Sequence, residues 1–350
     1  MALKVGIIGV GRKALTIDDE TRWLLNYDEL PCTHAAAYAA NLATEVVAIA
    51  NPGADAHDYY TNRYGPINAY TDARDMLRRE SLDIVSVTTH AHLHAAMTIA
   101  AAEAGVKGIL CEKAMATSLG ECDAMIAACR RSDSKLLVNH PRRFHAVFQQ
   151  AKELIAGGAI GTVRQAQCFG YGKLMHNGSH TFDVIRDFFG EAQWVQGELV
   201  ETDDANDPDG RGLIKMQNGV MVYLDFASAQ PFTFIFSGAD GQIIIDQWEE
   251  GLELNNYELQ DQRPDRPWFS YSPKRAVRRR YHAPQRHLPP MQAAVAELVA
   301  AIQEDREPLS NGEAGRSTIE LGLALHASAA RDGARVHLPF NDTDLRVVSR

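Results

Sequence analysis

Two polar segments of the chain contain residues capable of acid-base chemistry. Lys113 and Glu112 directly follow an apolar run, and His180 lies in a short polar stretch ahead of an amphipathic one. A lysine there acts as an acid or base if burial and neighbours lower its pKa; otherwise it is a solvated partner of Glu112, and spacing leaves both open. If Ser179 caps the following helix, His180 and Asp183 share a face and Asp183 orients the imidazole. The alternative is a polar helix start without chemistry.

A third polar segment runs from Thr88 through Thr89 to His94 and also follows an apolar run. His90, His92 and His94 alternate in it, which is a spacing that a metal ion can use. Because no cysteine or carboxylate completes a ligand set, we predict a loop entering a helix and no metal site.

A glycine-rich turn near the N-terminus has the pattern G-x-G-x-x-A. Gly9 permits a tight turn, Gly11 allows close backbone approach to a pyrophosphate, and Ala14 allows a helix to pack on the preceding strand. Arg12 and Lys13 lie between them, at a helix N-terminus that favours phosphate. The alternative is an ordinary strand-to-loop turn, but the turn opens a strand-helix-strand pattern. We therefore predict a dinucleotide site.

The choice between NAD and NADP depends on the end of the second strand, where an acid usually binds the adenosine ribose. Asn51 stands there, 40 positions after the second glycine (51 − 11), about twice the usual spacing, which indicates an insertion around Thr16–Cys32. Asn51 binds a ribose hydroxyl but does not repel a 2′-phosphate. Arg12 and Lys13 would attract that phosphate and Asp55 would repel it, so NAD or NADP stays open, with a slight preference for NAD.

The first part of the chain has the alternating pattern that would position these segments. Apolar strands alternate with helix-like stretches, which predicts a doubly wound parallel sheet, the α/β Rossmann fold, over residues 1–140. The predicted strands are Val5–Gly9, Thr44–Ala50, Asp83–Thr88, Gly108–Cys111 and Lys135–Asn139. The predicted helices are His34–Asn41, Asp72–Arg79, His92–Ala104 and Leu119–Arg130.

Residues 141–350 have a different pattern, typical of an α+β domain with a largely antiparallel open sheet. The predicted strands are Val163–Gly170, Gly212–Met216, Val220–Phe226, Thr233–Ser237 and Gln242–Asp246. Asn218-Gly219 and Asp240-Gly241 predict hairpin turns. Residues 247–290 give no clear pattern. A helix over Pro290–Gln303 is expected to close this domain, with a second helix, Glu313–Asp332, packed near it.

Length and composition limit the function classes. The 350 residues carry a net charge of −10, and no apolar run reaches the roughly 18 residues of a membrane span, so we predict no nucleic-acid or membrane partner. The basic run Lys274–Arg280 is read as a solvated or subunit-contacting surface. Five cysteines without a CxxC pair, and an N-terminus that is a strand rather than a leader, indicate a cytoplasmic protein.

In these segments the chain resembles the Gfo/Idh/MocA oxidoreductases, the relatives of glucose-fructose oxidoreductase and inositol dehydrogenase. The resemblance covers nearly the whole chain in the family's order. It is carried by GIIGVGR, THAHLHAAM, ILCEKAMATSL, RRFHAVFQQAKELIAGGAIGTVRQ, GSHTFD and SAARDGARVHLPF. It implies NAD or NADP as the cofactor and a sugar or polyol as the substrate.

The resemblance also implies roles for individual residues. The family lysine, which touches substrate and nicotinamide, corresponds to Lys113, and the family's catalytic histidine corresponds to His180. Two departures are the loss of a proline at Ala114 and of an aspartate at His176. The expected substrate-binding residues are Lys113, His176, Asn177, His180 and Arg143. The expected cofactor-binding residues are Gly9, Gly11, Arg12, Lys13, Asn51, Thr88, Thr89, His94, Glu112 and Lys113.

These inferences predict hydride transfer between nicotinamide and a secondary hydroxyl of a sugar, cyclitol or sugar derivative. His180 would act as the base, and Lys113 would stabilise negative charge on the same oxygen. Two alternatives stay open: an enzyme that retains its cofactor and uses it transiently for glycoside cleavage or epimerisation, and a non-catalytic NAD(P) sensor. The antiparallel sheet needs cover on its second face, which in this family is often another subunit, so we expect a homodimer or homotetramer.

Overall fold

The computed structural model describes residues 2–23, 30–200, 206–246, 251–259, 274–282 and 287–348. Six parallel strands form the first sheet, in the order β3-β2-β1-β4-β5-β6. They are β1 (Leu3–Ile8), β2 (Thr44–Ala50), β3 (Asn68–Tyr70), β4 (Ile84–Val87), β5 (Gly108–Glu112) and β6 (Lys135–Asn139). This order is that of dinucleotide-binding folds, and it confirms the predicted doubly wound sheet.

Helices cover both faces of this sheet. They are α1 (Ile17–Thr21), α2 (His34–Ala39), α3 (Ala54–Tyr64), α4 (Ala73–Arg79), α5 (Ala91–Glu103) and α6 (Leu119–Ser132). Strand β5 is buried at all five positions, as expected for a central strand of a parallel sheet. The sequence analysis did not predict β3, which has only three residues, or α3, which is mostly polar.

The segment predicted as an insertion contains α1 and is anchored by a buried carboxylate. Asp18 accepts hydrogen bonds from the backbone N–H groups of Cys32 (2.7 Å) and Thr33 (3.1 Å), and from the Thr33 hydroxyl (2.6 Å). Residues 24–29 lie outside the described part. The described ends of the insertion are therefore held together directly before α2.

The second sheet has nine strands in the order β14-β13-β12-β11-β7-β10-β9-β8-β15. They are β7 (Val163–Phe169), β8 (Ala192–Val200), β9 (Asp209–Met216), β10 (Met221–Asp225), β11 (Thr233–Gly238), β12 (Gly241–Asp246), β13 (Gly251–Leu259), β14 (Lys274–His282) and β15 (Val336–His337). One neighbouring pair, β7 with β10, is parallel and the others are antiparallel, which confirms a largely antiparallel sheet. Both predicted hairpins join antiparallel neighbours.

Four helices follow the first sheet in the chain: α7 (Ala146–Ala156), α8 (Gly178–Phe189), α9 (Pro290–Gln303) and α10 (Gly312–Ala329). The expectation that α9 closes the second domain is wrong. Its apolar face, including Val295 and Leu298, packs in the core of the first sheet with Val5 and Ile7. Helix α10 packs on β8 and α8 rather than beside α9. None of the described helices has the length and apolar character needed to cross a membrane.

The basic run Lys274–Arg280 lies in β14, an edge strand of the second sheet. Arg278, Arg279 and Arg280 are exposed, and Arg278 pairs with Glu253 on β13 (3.3 Å). Charged residues on an edge strand discourage pairing with other chains.

Candidate active site

A cleft of about 920 Å³ lies at the carboxyl ends of the first-sheet strands, beneath loops of the second sheet. The glycine turn after β1, the ends of β4 and β5, and the 171–180 segment all reach it. This volume suits a small-molecule ligand, and the carboxyl edge is where doubly wound sheets bind ligands.

The glycine turn has the conformation that its sequence requires. Gly9 has a φ of +88°, and a Cβ there would lie 2.8 Å from the backbone nitrogen of Thr89. At Gly11 a Cβ would meet no described atom within 4 Å, so its space opens into the cleft. Residues 12–16 then form one wide helical turn. The turn therefore fits a pyrophosphate. Gly9 is required for the backbone conformation of the turn, and Gly11 leaves space for the ligand.

Asn51 lines the cleft beside the glycine turn but also holds that turn in place. Its Oδ1 accepts the Val10 N–H (3.1 Å) and its Nδ2 donates to the Gly53 carbonyl (3.3 Å). Arg12 lines the same region, and its guanidinium pairs with Glu20 at 2.5 Å. Lys13 also lines the cleft.

Thr88 and Thr89 line the cleft, whereas His94 does not. The imidazole of His94 is buried, and its two ring nitrogens lie 2.9 Å from the carbonyl oxygens of Thr89 and Ala114, one of which accepts the ring N–H. His94 was predicted to bind the cofactor, but the structure places it outside the residues that line the cleft. Its ring instead joins the loop after β4 to the loop after β5, where Lys113 lies.

A buried polar network lies beneath Lys113 and centres on Glu112. The Glu112 carboxylate accepts hydrogen bonds from His34 Nε2 (2.8 Å), Asn139 Nδ2 (2.6 Å) and the Lys113 backbone N–H (3.3 Å). Burial alone would raise the pKa of Glu112, but the His34 hydrogen bond and the charge of Lys13 hold it well below its usual range. His34 Nδ1 meets the Ser86 hydroxyl at 2.5 Å, which fixes the ring on its other side.

The Lys113 side chain crosses to the second domain. Its Nζ donates to the His176 carbonyl oxygen at 2.8 Å. Burial, helped by the positive charges of Lys13 and Arg142 and opposed by Glu112, lowers the pKa of Lys113 to about 8. At neutral pH most of the lysine is therefore still protonated and able to donate a hydrogen bond to a substrate oxygen.

Helix α8 and the loop before it place His176, Asn177 and His180 in the cleft. The prediction that Ser179 caps this helix is wrong. The helix begins at Gly178, and the Ser179 hydroxyl donates to the His176 carbonyl (2.9 Å) from inside its first turn. The Asp207 carboxylate accepts the His176 backbone N–H (2.8 Å), so the loop is fixed from below.

His180 is half-buried, and its buried Nδ1 has no described hydrogen-bond partner. Burial and the positive charges of Lys113 and Arg142 hold the pKa of His180 well below its usual value, with smaller effects from His140 and His176. The imidazole is therefore neutral at pH 7, which is the state that a general base needs.

Asp183 does not orient His180, contrary to the sequence-based expectation. Its buried carboxylate accepts one bifurcated hydrogen bond from the Arg143 Nε–H, with its two oxygens 2.8 and 3.0 Å from Nε, and lies 3.3 Å from His140 Nδ1. Arg143 was predicted to bind substrate, but in the structure it pairs with Asp183 and Asp187 on α8.

Several cleft residues were missed by the sequence analysis. They are Arg142, Tyr171 and Phe232, which line the cleft, and His34 beneath it. Arg142 and Arg143 are consecutive, and the sequence does not indicate which of the two faces the cleft. Among the described residues, no three His, Cys, Asp or Glu side chains are grouped as metal ligands would be.

Comparison with known proteins gives matches over most of the chain. Residues 3–140 match the Gfo/Idh/MocA oxidoreductase model of the NAD-binding Rossmann fold, and residues 164–338 match its C-terminal alpha/beta domain. The chain is 27% identical over 336 residues to D-apiose dehydrogenase of Paraburkholderia graminis, covering 87% of this chain and 86% of that protein. It is 25% identical over 317 residues to 1,5-anhydro-D-fructose reductase of Ensifer adhaerens, covering 82% and 89%.

A solved structure also shares the whole fold. Aldose-aldose oxidoreductase of Caulobacter crescentus, complexed with glycerol, superposes with a TM-score of 0.76 at 23% identity, over 97% of this chain and 100% of that one. The agreement extends through both sheets, so the relation of the two domains is that of a known fold.

Proposed function

The chain belongs to the Gfo/Idh/MocA oxidoreductase family, and from this premise we propose that it transfers a hydride between a nicotinamide dinucleotide and a secondary hydroxyl of a sugar, cyclitol or sugar derivative. The proposal rests on one observation: Lys113 from the first domain and His180 from the second line the same cleft as the glycine turn. Spectrophotometric assay of a sugar and cyclitol panel with NAD and NADP tests it.

In the proposed mechanism the residues act on one substrate oxygen. His180, neutral at pH 7, takes the hydroxyl proton, and the protonated Lys113 donates a hydrogen bond that stabilises negative charge on the oxygen. A bound nicotinamide would supply the hydride acceptor. The His34–Glu112–Asn139 network fixes the backbone that presents Lys113.

The cofactor would lie along the glycine turn, with Gly9, Gly11, Arg12 and Lys13 at the pyrophosphate and Asn51 at the ribose. Thr88, Thr89 and Glu112 line the remaining part of this half. We propose NAD rather than NADP as the preferred form, since the Arg12 guanidinium already pairs with Glu20.

Gly11→Val should weaken NADH binding by about tenfold or more without lowering the thermal melting temperature. An overpacked contact costs roughly 1–3 kcal/mol, and here it arises only against the ligand, since no described protein atom lies within 4 Å of the added Cβ. Titrating NADH and NADPH onto both proteins measures the effect and the cofactor preference. Unchanged affinities in the folded variant would contradict the dinucleotide site.

His176→Asp should move the acidic limb of the kcat/KM profile upward by about one pH unit. Burial and the charges of Lys113 and Lys173 lower the pKa of His176 to about 4, so this ring is neutral at working pH. A carboxylate in its place stabilises protonated His180 and raises the pKa of that base, which must then lose its proton at higher pH. The profiles should be measured with a neutral sugar. An acidic limb that stays in place or moves to lower pH would contradict this coupling between residue 176 and His180.

The assembly and location of the protein are further proposals. The outer face of the second sheet carries apolar side chains such as Leu213, which is 38% exposed, and we propose that a second copy covers it in a homodimer or homotetramer. Mass measurement in solution tests this. The five cysteines are free thiols, four of them buried, as a cytoplasmic location would require; fractionation tests that location.

A further inference from the structure

Helix α1, in the insertion, forms part of the wall of the cofactor half of the cleft. In a Rossmann fold the glycine turn leads into the helix whose N-terminus faces the pyrophosphate. Here residues 12–16 form one wide turn, and α1 begins directly after it at Ile17. Ile17 lines the cleft with Arg12, Asn51 and Pro52. The insertion therefore borders the region that we assign to the adenosine ribose.

Two carboxylates fix α1 against its neighbours. Asp18 is buried and anchors the helix to the start of α2 through the Thr33 hydroxyl and backbone N–H. Asp19, at the next position, accepts hydrogen bonds from Arg63 Nη1 (2.7 Å) and from the Tyr59 hydroxyl, both on α3. These hydrogen bonds lower the pKa of Asp19, so its carboxylate is ionised at pH 7. Helix α1 is therefore held in one position beside the cleft.

In this position Glu20 meets Arg12. Glu20 Oε2 accepts a hydrogen bond from Arg12 Nε at 2.5 Å, and the Thr16 hydroxyl donates to Glu20 Oε1 at 3.4 Å. The Arg12 side chain is 63% exposed and that of Glu20 is 46% exposed. An exposed pair of this kind contributes little to the free energy of unfolding, so Glu20 can be replaced without loss of the fold.

Arg12 is the better placed of the two cations in the glycine turn to meet a phosphate on the adenosine ribose. The residue that we assign to the ribose, Asn51, is bonded to the same turn through the Val10 N–H (3.1 Å). Lys13, the second cation, also lines a small pocket that α7 and β12 of the second domain border. Lys13 therefore lies toward the second domain, which leaves Arg12 as the candidate.

The Arg12–Glu20 pair distinguishes the two dinucleotides by charge. The 2′-phosphate of NADP carries nearly two negative charges at pH 7 and is bound best by the paired N–H donors of a guanidinium. The Arg12 Nε–H already donates to Glu20, so a paired contact through that edge would require this hydrogen bond to break. The Glu20 carboxylate also repels the added phosphate. NAD has a neutral hydroxyl at that position, so the pair does not oppose its binding.

We propose, resting on the proposed NAD preference, that the insertion selects the cofactor: Glu20 is a specificity-determining residue that holds Arg12 and excludes the 2′-phosphate. Helix α1, anchored by Asp18 and Asp19, positions the Glu20 carboxylate at the glycine turn. The acid that usually ends the second strand of a Rossmann fold is replaced here by Asn51, and Glu20 supplies the missing negative charge from another element.

Fluorescence titration of NADH and NADPH onto the wild type and Glu20→Gln tests the proposal. The wild type should bind NADH more tightly, and Glu20→Gln should reduce the ratio of the two affinities by about fivefold, the scale of an exposed charge interaction acting on a phosphate. The change should come from tighter NADPH binding, with NADH affinity and the thermal melting temperature nearly constant. Glu20→Asp keeps the charge and should keep part of the preference.

Two further variants separate this role from a general effect of charge. Asp75→Asn removes the carboxylate of another exposed pair, with Arg78 on α4 and outside the cleft, and should leave the affinity ratio unchanged. In an Arg12→Met background, Glu20→Gln should change the ratio by about twofold or less, because no guanidinium is left to release. Added salt should reduce the wild-type preference more than that of Glu20→Gln, because salt screens exposed charges.

A wild type that prefers NADPH, or a preference that Glu20→Gln leaves unchanged, would overturn the proposal while leaving the dinucleotide site intact. A gain in NADPH affinity that is equally large in the Arg12→Met background, or in Asp75→Asn, would also contradict it. If neither dinucleotide binds the wild type, the proposed function itself fails, and the role of Glu20 fails with it.

Discussion

Lys113→Met should lower kcat by roughly a hundredfold or more, while NADH affinity changes far less. The ammonium group lies in the cleft, and its Nζ is oriented by the His176 carbonyl at 2.8 Å. Methionine fills much of the same volume but neither donates a hydrogen bond nor carries charge, so the developing negative charge on the substrate oxygen loses its stabilisation. Steady-state kinetics with a turned-over substrate, beside NADH titration, measure both effects.

The pH profile distinguishes this role from a purely structural one. Burial lowers the pKa of Lys113 to about 8, so wild-type kcat/KM should fall as pH rises through about 8 and the lysine loses its proton. The variant should lack this basic limb. Its acidic limb should also move upward, because removing a positive charge near His180 raises the pKa of that base.

Lys107→Met is the matched control, since Lys107 directly precedes β5 at the edge of the sheet opposite Lys113. Its side chain is 61% exposed and pairs with Asp83, an interaction of the kind that contributes little to stability. This variant should have wild-type kinetics. Wild-type turnover in folded Lys113→Met, or an equal loss in the control, would contradict the assignment.

The first domain was largely predictable because its signals are local. Buried parallel strands read as apolar runs, and the glycine turn needs Gly9 for its backbone, so sequence alone indicated a dinucleotide site beside Lys113. Strand β14 was not predicted, because an edge strand with exposed arginines lacks the apolar alternation that marks a half-buried strand. Helix α9 was identified correctly but assigned to the wrong sheet, since an apolar face does not specify which sheet covers it.

Within the site, the errors concern which partner each polar side chain selects. Arg143 and Asp183 both suggested chemistry by type, yet they bond each other across 40 residues, and neither spacing nor pattern reveals such a pair. Arg142, which directly precedes Arg143, faces the cleft instead. Residues Pro141–Phe144 form a tight helical turn, in which consecutive side chains point in different directions. The role of His34 was equally hard to predict, because its hydrogen-bond partner Glu112 is 78 residues away in the sequence.

His180→Asn should reduce kcat/KM by roughly a hundred- to ten-thousandfold and abolish the acidic limb of its pH profile. Asparagine keeps a polar side chain of similar reach but cannot accept a proton, so the remaining activity should not respond to pH below neutrality. NADH affinity should stay near wild type, because His180 lies on α8 of the second domain while the glycine turn lies in the first.

The control for this substitution is His326→Asn on α10, which replaces a buried histidine whose pKa burial lowers to about 4. His326 also has a buried ring nitrogen without a described partner, but it does not line the cleft. Its replacement therefore makes the same chemical change as His180→Asn while leaving the site intact. Thermal melts should therefore show similar stability for the two variants. Kinetic profiles should show a loss of activity only in His180→Asn. If His180→Asn keeps a wild-type acidic limb, another group in the cleft is the base, and the role assigned to His180 is wrong.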